Sequence, residues 1–197
     1  YDHLVNTMKW QAQVTGVEFR ADLVKLCNET AKASGFAGLR FVEGTIDSYD
    51  CSGADVVIAL HACDTATDDA IAKAVKAEAA LIVVAPCCHK QIRREIEKSG
   101  CASKDNPLQF LMQYGTYVER VSEMVTDGMR AELLELSGYK VNLFEFISDT
   151  HTPKNVMITA VRQAVSDKRA VALRGSLEAT KSQFGIGRHY LESALAG

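Results

Sequence analysis

Two short runs of branched aliphatic residues, each followed at once by polar side chains, dominate the hydrophobic pattern. Val56–Leu60 runs into His61-Ala62-Cys63-Asp64, and Leu81–Ala85 runs into Pro86-Cys87-Cys88-His89. A continuous aliphatic run is typical of a strand buried on both faces, so we predict two central strands of a parallel sheet. Ligands of open α/β sheets bind beyond the carboxyl ends of such strands. The pattern therefore predicts a functional site where these His, Cys and Asp residues gather.

The rest of the chain alternates between strand-like and helix-like periods with short connections. Further strands are predicted at 13–19, 39–42, 139–147 and 156–161, and helices at 1–10, 21–34, 68–77, 91–98, 118–136, 164–183 and 190–196. The alternation favours βαβ units and a mostly parallel sheet in an α/β fold. Only residues 148–155 join the last two strands, and so short a connection predicts an antiparallel hairpin at a sheet edge.

Length and charge narrow the class of protein. With 197 residues, 47% of them hydrophobic, the chain is expected to form one domain, 1–197, with residues 163–197 as a C-terminal helical extension. The net charge of -3 gives no general attraction for nucleic acid, and no apolar run approaches the roughly 20 residues of a membrane span. Six cysteines without the spacing of a secreted scaffold favour a reducing, cytoplasmic location.

An acidic residue closes the strand at 13–19. Doubly wound nucleotide-binding folds place a carboxylate there to accept both ribose hydroxyls of a cofactor, which gives Glu18 a possible role beyond that of a solvated strand-end residue. The segment Gly44-Thr45-Ile46 follows the next strand, where such folds enclose adenine. Together the two features indicate a cofactor that contains adenosine.

These segments, taken in order, resemble a known family. Val14-Thr15-Gly16-Val17-Glu18, Gly44-Thr45-Ile46, residues 59–68 and residues 85–91 resemble a class I S-adenosylmethionine-dependent methyltransferase, and more narrowly the methyltransferase-domain family with LHAC and PCCH strand-end motifs. The segments 126–130 and 151–155 agree with that resemblance. It implies a Rossmann-like doubly wound sheet ordered 3-2-1-4-5-7-6 with strand seven antiparallel. Because the first strand and its Gly-rich loop would precede Tyr1, the resemblance also implies an N-terminally truncated chain.

The resemblance implies S-adenosyl-L-methionine as cofactor and assigns roles to the strand-end residues. His61 or His89 would remove the proton of the methyl acceptor, since an imidazole titrates near neutrality, and Asp64 or Asp68 would orient an imidazole or the nucleophile. Asp68 has an alternative role in the first turn of its helix. The residues expected at the cofactor are Glu18, Phe19, Thr45, Ile46, Leu60 and His61, and those expected at the substrate are Cys63, Pro86, Cys87, Cys88 and Lys154.

The strand-end cysteines allow three interpretations. Thiolate and imidazole groups are zinc ligands, and the two strand ends offer five of them: His61, Cys63, Cys87, Cys88 and His89. Their spacing matches no standard finger or ribbon, however, and adjacent cysteines rarely both face one metal. Reduced thiols that pack behind the cofactor site are favoured over both zinc and substrate contact, so we predict no metal. A catalytic cysteine would need a thiol of low pKa, which sequence alone does not reveal.

The acceptor is the least determined part of the prediction. Similar strand ends occur in a family of transfer-RNA ribose 2'-O-methyltransferases, which makes RNA the expected substrate by analogy. Basic residues at 162–190 and 89–104 could meet RNA phosphates, although a solvated helix face explains them equally well. A catalytically silent binding or assembly factor and a nicotinamide-dependent oxidoreductase remain the alternatives.

Overall fold

Six strands and seven α-helices are present in the computed structural model, which describes residues 1–99, 106–148, 150–152 and 154–197. The strands are β1 Val14–Glu18, β2 Leu39–Glu43, β3 Val56–Leu60, β4 Leu81–Ala85, β5 Tyr139–Glu145 and β6 Val156–Arg162. The helices are α1 Ala21–Ala33, α2 Thr65–Lys76, α3 Lys90–Lys98, α4 Gln109–Met112, α5 Gly115–Leu136, α6 Asp167–Phe184 and α7 Tyr190–Ala196. The chain divides into two compact units, Tyr1–Asp50 and Cys51–Gly197.

The first unit is a βαβ arrangement. Strands β1 and β2 pair in parallel from Val14↔Leu39 to Glu18↔Glu43, and α1 connects them. The side-chain amide of Asn28 on α1 donates to the carbonyl of Phe41 and accepts from its N–H, each at 2.8 Å. A helix side chain therefore satisfies both backbone groups of one β2 residue, as an additional strand would.

The second unit contains a mixed four-stranded sheet with the order β3-β4-β6-β5. Strand β3 pairs with β4 in parallel, whereas β6 is antiparallel to both β4 and β5. The predicted antiparallel C-terminal hairpin is thus confirmed. Among the described strands of this sheet, one pairing is parallel and two are antiparallel, so the sheet is less parallel than the sequence pattern predicts.

One face of this sheet forms the core and the opposite face of β3 is exposed. Ile82, Val84, Ile158 and Ala160 are fully buried and pack with the inward residues of α2, α3, α5 and α7. On β3, by contrast, Val56, Ile58 and Leu60 are 46–62% exposed. The prediction of a central strand holds for β4 but is wrong for β3, which is an edge strand of its sheet. A continuous aliphatic run indicates an apolar strand, but it does not show whether that strand pairs with a neighbour on one side or on both.

The helix ends and the N-terminal segment differ from the predictions. Residues 1–10 were predicted as a helix but contain only a π-helical turn, His3–Thr7. Helix α2 begins at Thr65, three residues earlier than predicted, because Asp64 is its N-cap residue and Asp68 lies in the first turn. Helices α6 and α7 pack against α5 and α2 and so belong to the second unit. None of the helices formed by the described residues combines the length and apolar character that crossing a membrane requires.

A fully buried histidine begins the last helix. The Nδ1 atom of His189 accepts from the backbone N–H of Leu191, while the N–H of His189 donates to the Glu192 carboxylate. Burial, together with the charge of Arg130, lowers the pKa of His189 to about 4, although Glu192 and Asp127 oppose the shift. The ring is therefore neutral at neutral pH, which allows Nδ1 to act as the capping acceptor.

We predict that His189 makes folding sensitive to mild acid. Its pKa is lower in the folded chain than the ordinary 6.5, so its contribution is complete above pH 6.5 and is lost as the pH falls toward 4. The full loss corresponds to about 3 kcal/mol. His189→Asn keeps a side-chain acceptor for the cap and cannot titrate. Urea unfolding at pH 7, 5.5 and 4 should show a smaller pH dependence for this variant; identical pH profiles would contradict the assignment.

Candidate functional site

The two predicted strand ends lie side by side in the second unit. The N–H of His61 donates to the carbonyl of Ala85 at 3.0 Å, which extends the β3–β4 ladder by one bond beyond the strands. The backbone then turns sharply at His61, where φ is +57°. This conformation is costly for a residue with a side chain and is often found at functional sites. The turn leaves the His61 side chain exposed next to the end of the sheet.

Asp64 connects the turn after β3 to the helix after β4. Its φ of +55° and ψ of -122° lie outside the ordinary regions, and its Oδ1 accepts from the backbone N–H of Gln91 at 3.0 Å. Gln91 lies in the first turn of α3, where free N–H groups and the helix dipole stabilise a carboxylate. Oδ1 of Asp64 therefore stabilises the N-terminus of α3, and the orienting role of Asp64 stays a prediction.

His89, the other predicted catalytic histidine, is buried and oriented by a carboxylate. Its Nε2 lies 3.0 Å from Oδ1 of Asp127 on α5, and the two side chains are 4% and 7% exposed. An ionised carboxylate only accepts, so Nε2 of His89 is the donor in this hydrogen bond. Among the described residues Nδ1 has no hydrogen-bond partner. The two histidines therefore occupy opposite environments, His61 exposed and His89 enclosed.

A buried arginine on α5, Arg130, binds the same carboxylate as His89 and also contacts α2 and the turn after β3. Arg130 donates to both carboxylate oxygens of Asp68 on α2, at 2.7 and 3.1 Å, and to Oδ1 of Asp127 at 3.0 Å. Its Nη2 also donates to the carbonyl of Asp64 at 3.0 Å. A bidentate pair with additional hydrogen bonds is the geometry in which a buried guanidinium is compensated.

The buried charges influence one another strongly. Burial raises the pKa of Asp68, while the charge and hydrogen bonds of Arg130 oppose that shift. For Arg130 itself, burial lowers the pKa, but Asp68 and Asp127 outweigh burial and raise it. Arg130 is therefore a permanent cation at this position. It holds the Asp127 carboxylate, which in turn fixes the ring of His89.

Three thiols lie together at the same strand ends. Sγ of Cys63 is 3.4 Å from Sγ of Cys87, which is 3.8 Å from Sγ of Cys88. Burial and the hydrogen bonds to these two neighbouring thiols raise the pKa of Cys87 to about 12. Cys87 is therefore protonated at neutral pH, which disfavours it as a nucleophile. Pro86, which precedes it, is buried, whereas Cys63 is exposed.

The predicted cofactor residues of the first unit lie at the carboxyl ends of β1 and β2. Oε1 of Glu18 accepts from the backbone N–H and Nε of Arg20, at 3.0 and 3.2 Å, and these bonds lower the pKa of Glu18. The N–H of Gly44 donates to the carbonyl of Glu18. Thr45 forms a tight turn with Ser48, with Ile46 half-buried between them in sequence. Glu18 and the segment 44–46 are thus neighbours, and Phe19 is 68% exposed beside them.

Lys154 and several basic residues of the segment 162–190 form ion pairs with carboxylates of this chain. Lys154 forms ion pairs with Glu119 and Glu123 on α5, so its ammonium group is already engaged. Three basic residues of the segment 162–190 are also paired with carboxylates, namely Arg162, Arg169 and Lys181. Of the other basic stretch, 89–104, residues 100–104 lie outside the described part of the chain. These ion pairs reduce the local positive charge.

The most strongly connected residues of the site, Asp68, Asp127 and Arg130, were not among the predicted site residues. The sequence does carry a signal for two of them. Asp127 and Arg130 stand three residues apart on the buried face of α5, among apolar residues such as Met129 and Leu133. A charged pair on the apolar face of an amphipathic helix must be compensated by buried partners, and that rule would have selected them.

Comparison with known proteins supports a methyltransferase domain in this chain. Residues 1–95 match a family model described as a methyltransferase domain. The matched segment includes β1 to β4, both strand-end motifs and the beginning of α3. It contains Glu18, the segment 44–46, His61 and His89, but it ends before α5 and therefore before Asp127 and Arg130.

Two further similarities are more distant. A Glutathione S-transferase C-terminal domain-containing protein of Xenopus laevis is 26% identical over 164 residues, which is 74% of this chain. The chain spans 26% of that relative's length. The crystal structure of the PH0226 protein from Pyrococcus horikoshii OT3 superposes with a TM-score of 0.39 and 14% identity, covering 83% of this chain and 76% of that protein.

We predict that Arg130 is essential to the stability of the second unit. Arg130→Met would leave the carboxylates of Asp68 and Asp127 buried without a cation, which should lower the free energy of unfolding by about 3–5 kcal/mol. The matched control is Arg169→Met, which removes an exposed ion pair with Glu135 and should cost less than about 1 kcal/mol. Urea denaturation measures both values. Similar small losses in the two variants would contradict a compensating role for Arg130.

Proposed function

We propose that this chain is an S-adenosylmethionine-dependent methyltransferase whose acceptor is RNA. The observation that carries the proposal is the family match over residues 1–95, which contains both the Glu18 region and the His61 and His89 motifs. The strand order supports it. In the numbering of the resembled fold, β3-β4-β6-β5 corresponds to 4-5-7-6, and β6 corresponds to the antiparallel strand seven. The parallel pair β1-β2 corresponds to strands two and three of a doubly wound sheet.

The first unit has groups that fit the ribose and adenine parts of such a cofactor. The contacts of Arg20 keep the Glu18 carboxylate ionised, and they are made to Oε1. An ionised carboxylate can accept several hydrogen bonds at once, as two ribose hydroxyls require. The apolar residues Phe19 and Ile46 directly follow Glu18 and Thr45 in the sequence. S-adenosylmethionine, when bound, supplies a methyl group that its sulfonium already activates for transfer.

The two histidines of the second unit have different proposed roles. His61 is exposed at the end of β3, and this access to solvent supports His61 as the proposed acceptor of a proton from the nucleophile. The Nε2 atom of His89 is held by Asp127 and its Nδ1 is enclosed, which makes His89 a positioning residue of the strand end rather than the proton acceptor. The Asp64 carboxylate accepts from the N–H of Gln91 and so joins the turn after β3 to α3. Arg130 donates to the carbonyl of Asp64 and so joins the same turn to α5.

RNA is the proposed acceptor because the strand-end motifs resemble those of transfer-RNA ribose methyltransferases. The charge distribution adds little, since Lys154, Arg162, Arg169 and Lys181 already have carboxylate partners. A ribose hydroxyl is a poor nucleophile until it loses its proton, and an imidazole is a side chain that can accept that proton. The acceptor is therefore the part of the proposal that most needs a direct measurement.

We predict that Glu18 contributes to cofactor affinity. Glu18→Gln removes the negative charge that would bind the ribose hydroxyls, and S-adenosylmethionine should bind about tenfold or more weakly. Glu43→Gln is the matched control, because Glu43 is the register partner of Glu18 at the end of β2. Isothermal titration calorimetry measures both affinities. Equal effects in the two variants, or none in Glu18→Gln, would remove Glu18 from the cofactor site.

We predict that His61→Asn slows methyl transfer by about a hundredfold or more, because a positioned general base contributes at least that much. Single-turnover transfer of a tritiated methyl group to fractionated RNA measures the rate, and the exposed His3→Asn is the control. Label found in protein instead of RNA would overturn the acceptor. A chain that binds no S-adenosylmethionine would overturn the enzyme assignment in favour of a catalytically silent binding factor.

A further inference from the structure

The three thiols at the ends of β3 and β4 form a cluster that the proposed methyl transfer does not use. The Sγ atoms of Cys63, Cys87 and Cys88 all lie within 4.8 Å of one another. Cys87 Sγ lies 3.4 Å from Cys63 Sγ and 3.8 Å from Cys88 Sγ, so these thiols are in direct contact. The ladder bond from His61 to Ala85 brings the two strand-end turns together, so the cluster follows from the β3–β4 register.

These separations match those of sulfur ligands on one metal ion. Sulfur atoms at about 2.3 Å from a tetrahedral zinc ion are about 3.8 Å apart, which is close to the distances in the cluster. Adjacent cysteines rarely share a metal, because extended backbone sends neighbouring side chains to opposite sides. Here the chain has left β4 at Ala85, and Cys87 and Cys88 both direct their sulfur atoms to the same place.

We propose that Cys63, Cys87 and Cys88 form a three-thiolate binding site for Zn²⁺. Three sulfur ligands leave one position of a tetrahedral ion for water or another ligand, which is the pattern of an open zinc site. Cys63 is exposed, so the ion can enter from solvent, while Cys87 and Cys88 are half-buried. This site is independent of the methyltransferase proposal, and its test needs no methyl donor.

Zinc uptake is coupled to loss of the thiol protons. Each thiol must release its proton to become a ligand, so uptake of Zn²⁺ releases up to three protons. A divalent ion offsets most of the negative charge that three thiolates would bring into a half-buried position.

A disulfide is the competing use of these residues. The 3.4 Å separation of the Cys63 and Cys87 sulfur atoms is short enough for oxidation to join them after a small movement. That reading gives no role to Cys88, whose sulfur atom lies as close as a ligand of a shared metal would. The three-membered cluster therefore favours zinc, and the disulfide is one outcome of the experiment.

The test is zinc uptake by the reduced full chain. Isothermal titration with ZnCl₂ under a non-thiol reductant should give one ion per chain, with release of protons to the buffer. Mass spectrometry after alkylation should show Cys63, Cys87 and Cys88 protected by zinc, while Cys27 and Cys51 keep their reactivity. Substitution with Co²⁺ should give the sulfur-to-metal charge-transfer bands of a thiolate-bound tetrahedral ion.

Single variants distinguish the site from adventitious binding. Cys63→Ser and Cys88→Ser should each weaken zinc binding by more than about tenfold, since loss of a ligand costs at least as much as loss of an outer-shell contact. Cys51→Ser is the control, because Cys51 lies in the same unit, where its thiol donates to the carbonyl of Lys73. Circular dichroism identifies any variant that has not folded, and the alkylation experiment on the unchanged chain then decides.

Three results would overturn the proposal. The first is a reduced chain that takes up no zinc, and the second is a Cys63→Ser/Cys88→Ser double variant that binds it as tightly as the unchanged chain. The third is a Cys63–Cys87 disulfide under mild oxidation together with no zinc uptake by the reduced form, which would assign the cluster to thiol redox chemistry.

Discussion

Compensation of one buried charge, the guanidinium of Arg130, organises the second unit. An isolated cation in the interior of a protein is very unfavourable, so its burial requires carboxylates and carbonyls at fixed distances. Asp68 on α2, Asp127 on α5 and the carbonyl of Asp64 supply them. Because these groups come from different elements, the arginine fixes α2 and α5 relative to the turn that follows β3. The orientation of His89 depends on the same carboxylate of Asp127.

The strand ends show how one site can hold side chains in opposite environments. His61 is the first residue after β3 and His89 is the fourth after the neighbouring parallel strand β4, and one is exposed whereas the other is enclosed. The difference arises after the strands end. A left-handed residue at His61 turns the chain outward, whereas His89 is the N-cap residue of α3 and contacts α5. Chemistry that needs access to solvent therefore favours His61, and chemistry that needs a rigid ring favours His89.

The cysteines illustrate why spacing in sequence is a poor guide to metal ligands. Standard zinc motifs are recognised because their ligands lie in short, repeated loops. The cluster here combines one cysteine after β3 with two after β4, and only the register of the parallel pair brings them together. From the sequence, the adjacent residues Cys87 and Cys88 are not expected to bind one metal ion. In the structure their sulfur atoms lie 3.8 Å apart, which is compatible with a shared ion.

The sequence by itself determined the strands and most helices, because their hydrophobic periods and end signals are local properties. It also determined that histidine, cysteine and aspartate side chains follow β3 and β4, and that the last two strands pair antiparallel. Tertiary structure alone decided that β3 is an edge strand, that Asp64 binds the N-terminus of α3, and that Lys154 is engaged by carboxylates. It also decided that Arg130, Asp127 and Asp68 lie behind the strand ends. Burial and ion pairing join residues more than sixty positions apart, and no local pattern encodes such a partner.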